Sequence, residues 1–119
     1  MVRSIDNSPH FIWANGCDGW HLLQSDSLSV KQEKMPPGTS AQLHYHKRSE
    51  QLFYILSGMA TMEIAGRKSI INANESIYIP PGAEHFIANN SKEELEFLVI
   101  STPNVQDDRH KNLLKDFFK

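Results

Sequence analysis

His44-Tyr-His46-Lys-Arg-Ser-Glu50-Gln51 and Pro80-Pro-Gly82-Ala-Glu-His85 are the two stretches on which the reading of this chain turns. Neutral imidazole offers a lone pair at physiological pH, which makes histidine the commonest metal ligand. His44 and His46 lie two residues apart. Side chains at i and i+2 point to one face only where the backbone is extended. The neighbours, Gln42-Leu43 before and Leu52-Phe-Tyr-Ile-Leu56 after, favour a strand. Both histidines can therefore serve one ion if this segment is extended.

Outward from these stretches the chain reads as short strands separated by Gly, Pro, Asn and Ser. The candidates are Phe11–Trp13, Trp20–Leu23, Leu28–Met35, Ala41–His46, Gln51–Leu56, Ala60–Ile64, Arg67–Ile71, Ser76–Ile79, His85–Asn89 and Leu95–Ser101. Breaks fall at Asn15-Gly16, Pro36-Pro37-Gly38, Ser57-Gly58, Ala65-Gly66 and Pro80-Pro81-Gly82. Such spacing predicts an all-β sandwich or barrel. Only the tail departs from it. Leu113, Leu114, Phe117 and Phe118 share one helical face, which predicts a short amphipathic C-terminal helix.

The chain has 119 residues, enough for one domain over 1–119, and its 39% apolar content suits a globule. A net charge of −2 without a Lys/Arg cluster argues against nucleic acid as a partner. No apolar run approaches the ~18 residues of a membrane span. The N-terminus, Met-Val-Arg-Ser-Ile-Asp, has no apolar core of a signal peptide. The single cysteine, Cys17, excludes an internal disulfide, and the expected compartment is the cytoplasm.

The first stretch extends to Gly38-x5-His44-x-His46-x4-Gln51-x6-Gly58, the second to Asn74-x5-Pro80-x-Gly82-x2-His85-x3-Asn89. Together they resemble the two signature motifs of the cupin superfamily, over about residues 25–101. Gln51 stands where most members carry Glu, and Asn74 where most carry Gly. The resemblance implies a small jelly-roll barrel, a double-stranded β-helix with a pocket at one mouth. It implies that the first motif supplies a strand pair with Gly58 as its turn. It also implies that the Pro80–Gly82 turn brings His85 over His44 and His46. The metal ligands would then be His44, His46, Gln51 and His85, around one divalent ion (zinc, nickel, manganese or iron).

The fourth ligand depends on register. Counting back from Gly58 selects Gln51, with Phe53 and Ile55 on the same face and Glu50 turned away. A bulge would bring Glu50 in instead. Three imidazoles and an amide leave the charge of the ion uncompensated, which favours Lewis-acid chemistry. Open-site iron oxygenases favour two histidines and a carboxylate.

The expected function is therefore a metal-dependent isomerase, lyase or hydrolase acting on a small oxygenated, sugar-like molecule. A dioxygenase and a non-catalytic binding protein are the alternatives. The ligand set is similar to that of small cupins that open unsaturated uronates. Those relatives also carry an acidic residue, an aromatic and an arginine on and just after the final strand, which Val99–Val105 does not offer.

Lys31 and Glu33 are the catalytic candidates if Met35 faces the core, because period two then carries both inward. The opposite parity buries Leu28 and Val30 and leaves the charges in water. Cys17 is expected in a loop as an inert thiol, and His10, His21 and His110 on the surface. A homodimer is expected, with Phe11-Ile-Trp13 and the Leu113–Phe118 stripe as interface candidates.

Overall fold

The structure is a computed structural model that describes residues 1–111. Nine strands follow one another in chain order: β1 (His10–Trp13), β2 (Cys17–Gln24), β3 (Ser29–Met35), β4 (Glu50–Ser57), β5 (Met59–Ile64), β6 (Arg67–Asn72), β7 (Ser76–Ile79), β8 (His85–Ala88) and β9 (Leu95–Thr102). There is no helix among the described residues, so none is long and apolar enough to cross a membrane. The helix expected over Leu113–Phe118 lies outside them.

Two antiparallel sheets face each other as a jelly roll. One has six strands in the order β1-β2-β3-β9-β4-β7, the other three in the order β6-β5-β8. The larger sheet sets the inner face by direct cross-strand pairing. Lys31 pairs with His21 and Val99, and Val99 with Phe53. Ser29 pairs with Ser101, and Ser101 with Gln51. Glu33 pairs with Gly19 and Phe97. Alternation on β9 buries Leu95, Phe97, Val99 and Ser101, and β3 must present the matching row. The core closes with Met35, Ile55, Met62, Ile79 and Ile87.

Three expectations are corrected. Ala41–His46 is no ladder strand but an extended segment with isolated bridges, His44 to His85 and Tyr45 to His110. Its backbone bonds run from Ala41 to Ile87 and from His44 to His85. Three residues thus span what two span on β8, and that mismatch stops a regular ladder. Gly58 is no hairpin turn either. β4 and β5 lie in different sheets, and Gly58 (φ 85°) makes the corner between them. Its Cα faces the backbone of Glu94 so closely that a Cβ would come within 2.6 Å of the Glu94 oxygen. Cys17 opens β2 rather than lying in a loop, and it is fully buried. Burial raises its thiol pKa, as befits an inert group.

Asn74 adopts φ 68°, the left-handed region that Asn tolerates better than other side chains. That accounts for its standing at a glycine position.

Candidate metal centre

The mouth of the barrel collects His44 and His46 from the bridging segment, His85 from the start of β8 and Gln51 from β4. The ligand nitrogens of the three histidines lie within 4.8 Å of one another, and all three residues are buried. Each Nδ1 is tied to a backbone carbonyl: His44 to Gln42 at 2.7 Å, His46 to Asp108 at 2.7 Å and His85 to Ala83 at 2.9 Å. A carbonyl only accepts, so each Nδ1 carries the proton and each Nε2 is left as a lone pair. Burial, then Arg109 and His85, hold the His44 pKa down to about 3. Burial, then His46 and Arg109, hold His85 down to about 4 against its carbonyl bond. Burial also lowers His46, with the Asp108 carbonyl and carboxylate opposing. All three rings are neutral near pH 7, the form a metal requires.

Two observations test whether these residues fit an ion. His46 Nε2 is buried without any partner, an orphaned acceptor of the kind that ligation satisfies. Gln51 Oε1 stands 3.1 Å from His85 Nε2, while Gln51 Nε2 donates to Ser101 Oγ at 3.0 Å. With the His85 proton on Nδ1, two acceptors face each other, and a cation between them resolves the contact. A half-turn of the amide would satisfy the metal-free pair. The donor set fits a divalent ion. Gln51 is buried, whereas Glu50 is exposed and lies near the Tyr78 hydroxyl at 3.5 Å.

A cavity of about 440 Å³ opens beside this cluster, and His44, His46 and Gln51 line it together with Lys31, Glu33 and Arg109. The parity left open on β3 is the one that carries Lys31 and Glu33 inward. Glu33 is only 8% exposed and has no hydrogen bond or ion pair among the described residues. Burial raises its pKa to about 7, against the pull of Lys31 and Arg109. The Lys31 ammonium sits 5.6 Å over the Phe11 ring, and that ring lies across Gly19, where any Cβ would collide with it.

His21 is corrected from surface to cavity lining, with a buried Nδ1 that lacks a partner. His10 does lie at the surface, paired with Asp18 at 2.8 Å. His110 is half-buried and stacks on Tyr45 at 5.0 Å. Phe11 and Trp13 line the cavity, and only Ile12 of that trio is well exposed, at 61%. Asp108 and Arg109 were not singled out by their sequence context. The final strand and its exit carry no arginine, but Arg109 returns to the cavity from further along the chain.

Comparison with known proteins agrees with this geometry. The cupin domain family matches residues 31–101. An oxalate-binding protein of Thermotoga maritima is 32% identical over 85 residues, 67% of this chain and 70% of that one. A mannose-1-phosphate guanylyltransferase of Sinorhizobium fredii is 35% identical over 81 residues, but the match spans only 16% of its length. A crystal structure described as a predicted oxalate decarboxylase from Thermotoga maritima superimposes with a TM-score of 0.80 at 25% identity, over 87% of this chain and 100% of that one. The chain belongs to the cupin family.

Proposed function

We propose that this chain is a metal-dependent enzyme of isomerase, lyase or hydrolase type, acting on a small oxygenated molecule such as a sugar derivative. A divalent ion at His44, His46 and His85, with Gln51 beside it, would supply Lewis acidity toward a substrate oxygen. Glu33 carries the reading. It is a buried, unpartnered carboxyl with a pKa near 7, in the same cavity as two of the three histidines. A group so poised is populated in both protonation states near neutral pH, the condition for taking and returning a substrate proton. Lys31 and Arg109 favour its charged form. Phe11, Trp13, Phe53 and Val99 supply apolar wall that limits water around the reacting atoms. Gln51 in place of a carboxylate weighs against the dioxygenase alternative, since open-site iron oxygenases favour two histidines and a carboxylate. The similarity to an oxalate-binding protein favours a second reading, in which the pocket holds its ligand without turnover.

The test uses protein loaded in turn with zinc, nickel, manganese and iron. Each form is given a panel of hydroxy-carbonyl compounds in deuterated water, followed by NMR with an oxygen electrode in parallel. Metal-dependent proton exchange or bond cleavage without oxygen uptake is expected. Glu33→Gln should lose about 100-fold or more of it at unchanged metal content. Oxygen uptake coupled to substrate loss, or full activity in Glu33→Gln, overturns the proposal. Binding without any turnover supports the second reading.

A further inference from the structure

The chain beyond β9 runs back over the segment that carries His44 and His46 and is fastened to it at both ends. Tyr45 and His110 exchange both backbone hydrogen bonds, at 2.8 and 2.9 Å. Asp108 is 2% exposed, and its carboxylate accepts from the backbone N–H groups of Lys47 (3.0 Å), Arg48 (2.9 Å) and Ser49 (3.0 Å). Its carbonyl takes the His46 Nδ1 proton. The Ser49 hydroxyl donates to the Pro103 carbonyl where the strap leaves β9. Arg109 stands between the Asp108 and His110 attachments, so its backbone position is fixed from both sides. It lines the cavity.

The charge inventory of that cavity is unbalanced. Its charged lining residues are Lys31, Glu33 and Arg109, one carboxyl against two cations. Neither cation has an ion-pair or hydrogen-bond partner among the described residues. The Asp108 carboxylate does not line the cavity; it accepts from three backbone N–H groups and lies 3.5 Å from His110 Nε2. A bound divalent ion increases the excess. Apolar walls around uncompensated positive charge focus the field on whatever enters, and a guanidinium fork with an ammonium nearby matches the oxygens of a carboxylate or phosphate.

We propose that the pocket takes a small oxyanion-bearing ligand, carboxylate or phosphate, anchored by Arg109 with Lys31, and that Asp108 is the residue that positions Arg109 over the histidines. This rests on the metal-centre reading and names the ligand class that such a centre would meet.

Calorimetric titration of the zinc-loaded protein with oxalate, inorganic phosphate and neutral oxamide tests it, with zinc content measured on every sample. Oxalate or phosphate should bind at least tenfold more tightly than oxamide, and the stronger of the two identifies the source of the oxyanion. Arg109→Gln should lose at least tenfold in oxyanion affinity, leave oxamide unchanged and keep its zinc, with Arg109→Lys recovering part of the loss. Asp108→Ala should lose as much, and Asp108→Ala combined with Arg109→Gln should lose no more than either alone. Asp108→Asn, which keeps the shape of the side chain, serves if the alanine variant does not fold. Zinc-loaded protein whose oxyanion affinity is unchanged in Arg109→Gln overturns the ligand class. Strictly additive losses overturn the positioning role. If the wild-type protein takes up no zinc, the metal-centre reading fails by itself, and the same titrations on metal-free protein decide this one.

Discussion

The imidazole of His46 donates from Nδ1 to the backbone carbonyl of Asp108 at 2.7 Å, across 62 positions of the chain. One residue thereby orients a candidate ligand through its main chain and caps the loop after that ligand through its carboxylate. The ring can present only Nε2 to the cavity while this bond holds. The strap and the histidine cluster are thus one hydrogen-bonded unit.

Asp108 is accordingly expected to stabilise the fold in a pH-dependent way. Burial alone would raise its pKa, but the N–H groups of Arg48, Ser49 and Lys47, with the Arg48 charge, bring it below 3.8. A carboxyl depressed in the folded state contributes stability that is present above its unfolded pKa and is lost as pH falls through the folded one. Asp108→Asn should cost about 1–3 kcal/mol at pH 7. The gap between the variant and the wild type should narrow as pH drops below 3.8. Denaturant unfolding across that range checks it, and a gap independent of pH would contradict it.

Glu33 has the opposite sign. Its folded pKa is raised from 4.5 to about 7, chiefly by burial. The folded chain therefore holds this proton to higher pH than the unfolded chain does, and stability is lost as pH rises through that window. Glu33→Gln should stabilise the metal-free protein by about 2–3 kcal/mol at pH 8 and be nearly neutral at pH 4. A divalent ion in the cavity should pull the Glu33 pKa down. Carbon-13 NMR of the carboxyl, with and without zinc, reads this directly. An unchanged titration midpoint on zinc binding would separate Glu33 from the metal centre.

Two glycines of positive φ separate conformational cost from steric cost. At Gly82 (φ 82°) a Cβ meets nothing within 4 Å, so Gly82→Ala should cost about 1–2 kcal/mol from backbone strain. At Gly58 (φ 85°) the same methyl would sit 2.6 Å from the Glu94 oxygen. Backbone there cannot retreat without parting β4 from β9, so Gly58→Ala should cost at least ~2 kcal/mol more. Paired chemical denaturation of the two variants measures the difference. Equal losses would mean that the corner at Gly58 relaxes freely.

The barrel and three of its histidines were legible because their signals are local. Turn residues punctuate period-two runs, and two compact motifs carry the imidazoles. The face of β3 was not legible. Val30 and Met35 lie on opposite parities of Ser29–Met35, so alternation alone selects neither face, and the choice falls to pairing with Phe97 and Val99 on β9. Asp108 and Arg109 were invisible for a related reason. The Asp108 partners stand at Lys47–Ser49, and the residues that share the cavity with Arg109 lie far away in the chain, while Asp107-Asp108-Arg109 reads locally as a solvated polar turn. Ala41–His46 was misread because a bridge on each side needs the same extended backbone as a ladder.

Gln51 gives the most direct probe of the centre. Its amide reaches His85 Nε2 at 3.1 Å from one end and Ser101 Oγ at 3.0 Å from the other, in a site where it is 6% exposed. Gln51→Glu changes little in shape but places a carboxylate among three neutral imidazoles. Without metal, the buried charge must take up a proton or impose one on His85, so the metal-free variant should melt below the wild type. With metal, the carboxylate offsets the charge of the ion, so zinc affinity should rise by about one to two orders of magnitude. The zinc-induced shift in Tm should then exceed that of the wild type. The same offset weakens the ion as a Lewis acid, so turnover should fall even as metal is held more tightly. Gln51→Leu should lose zinc affinity and Glu50→Ala should keep it. Should zinc affinity stay within about threefold of wild type in both Gln51 variants, well short of the 1.4 kcal/mol that a tenfold change represents, Gln51 lies outside the coordination sphere and the three histidines hold the ion without it.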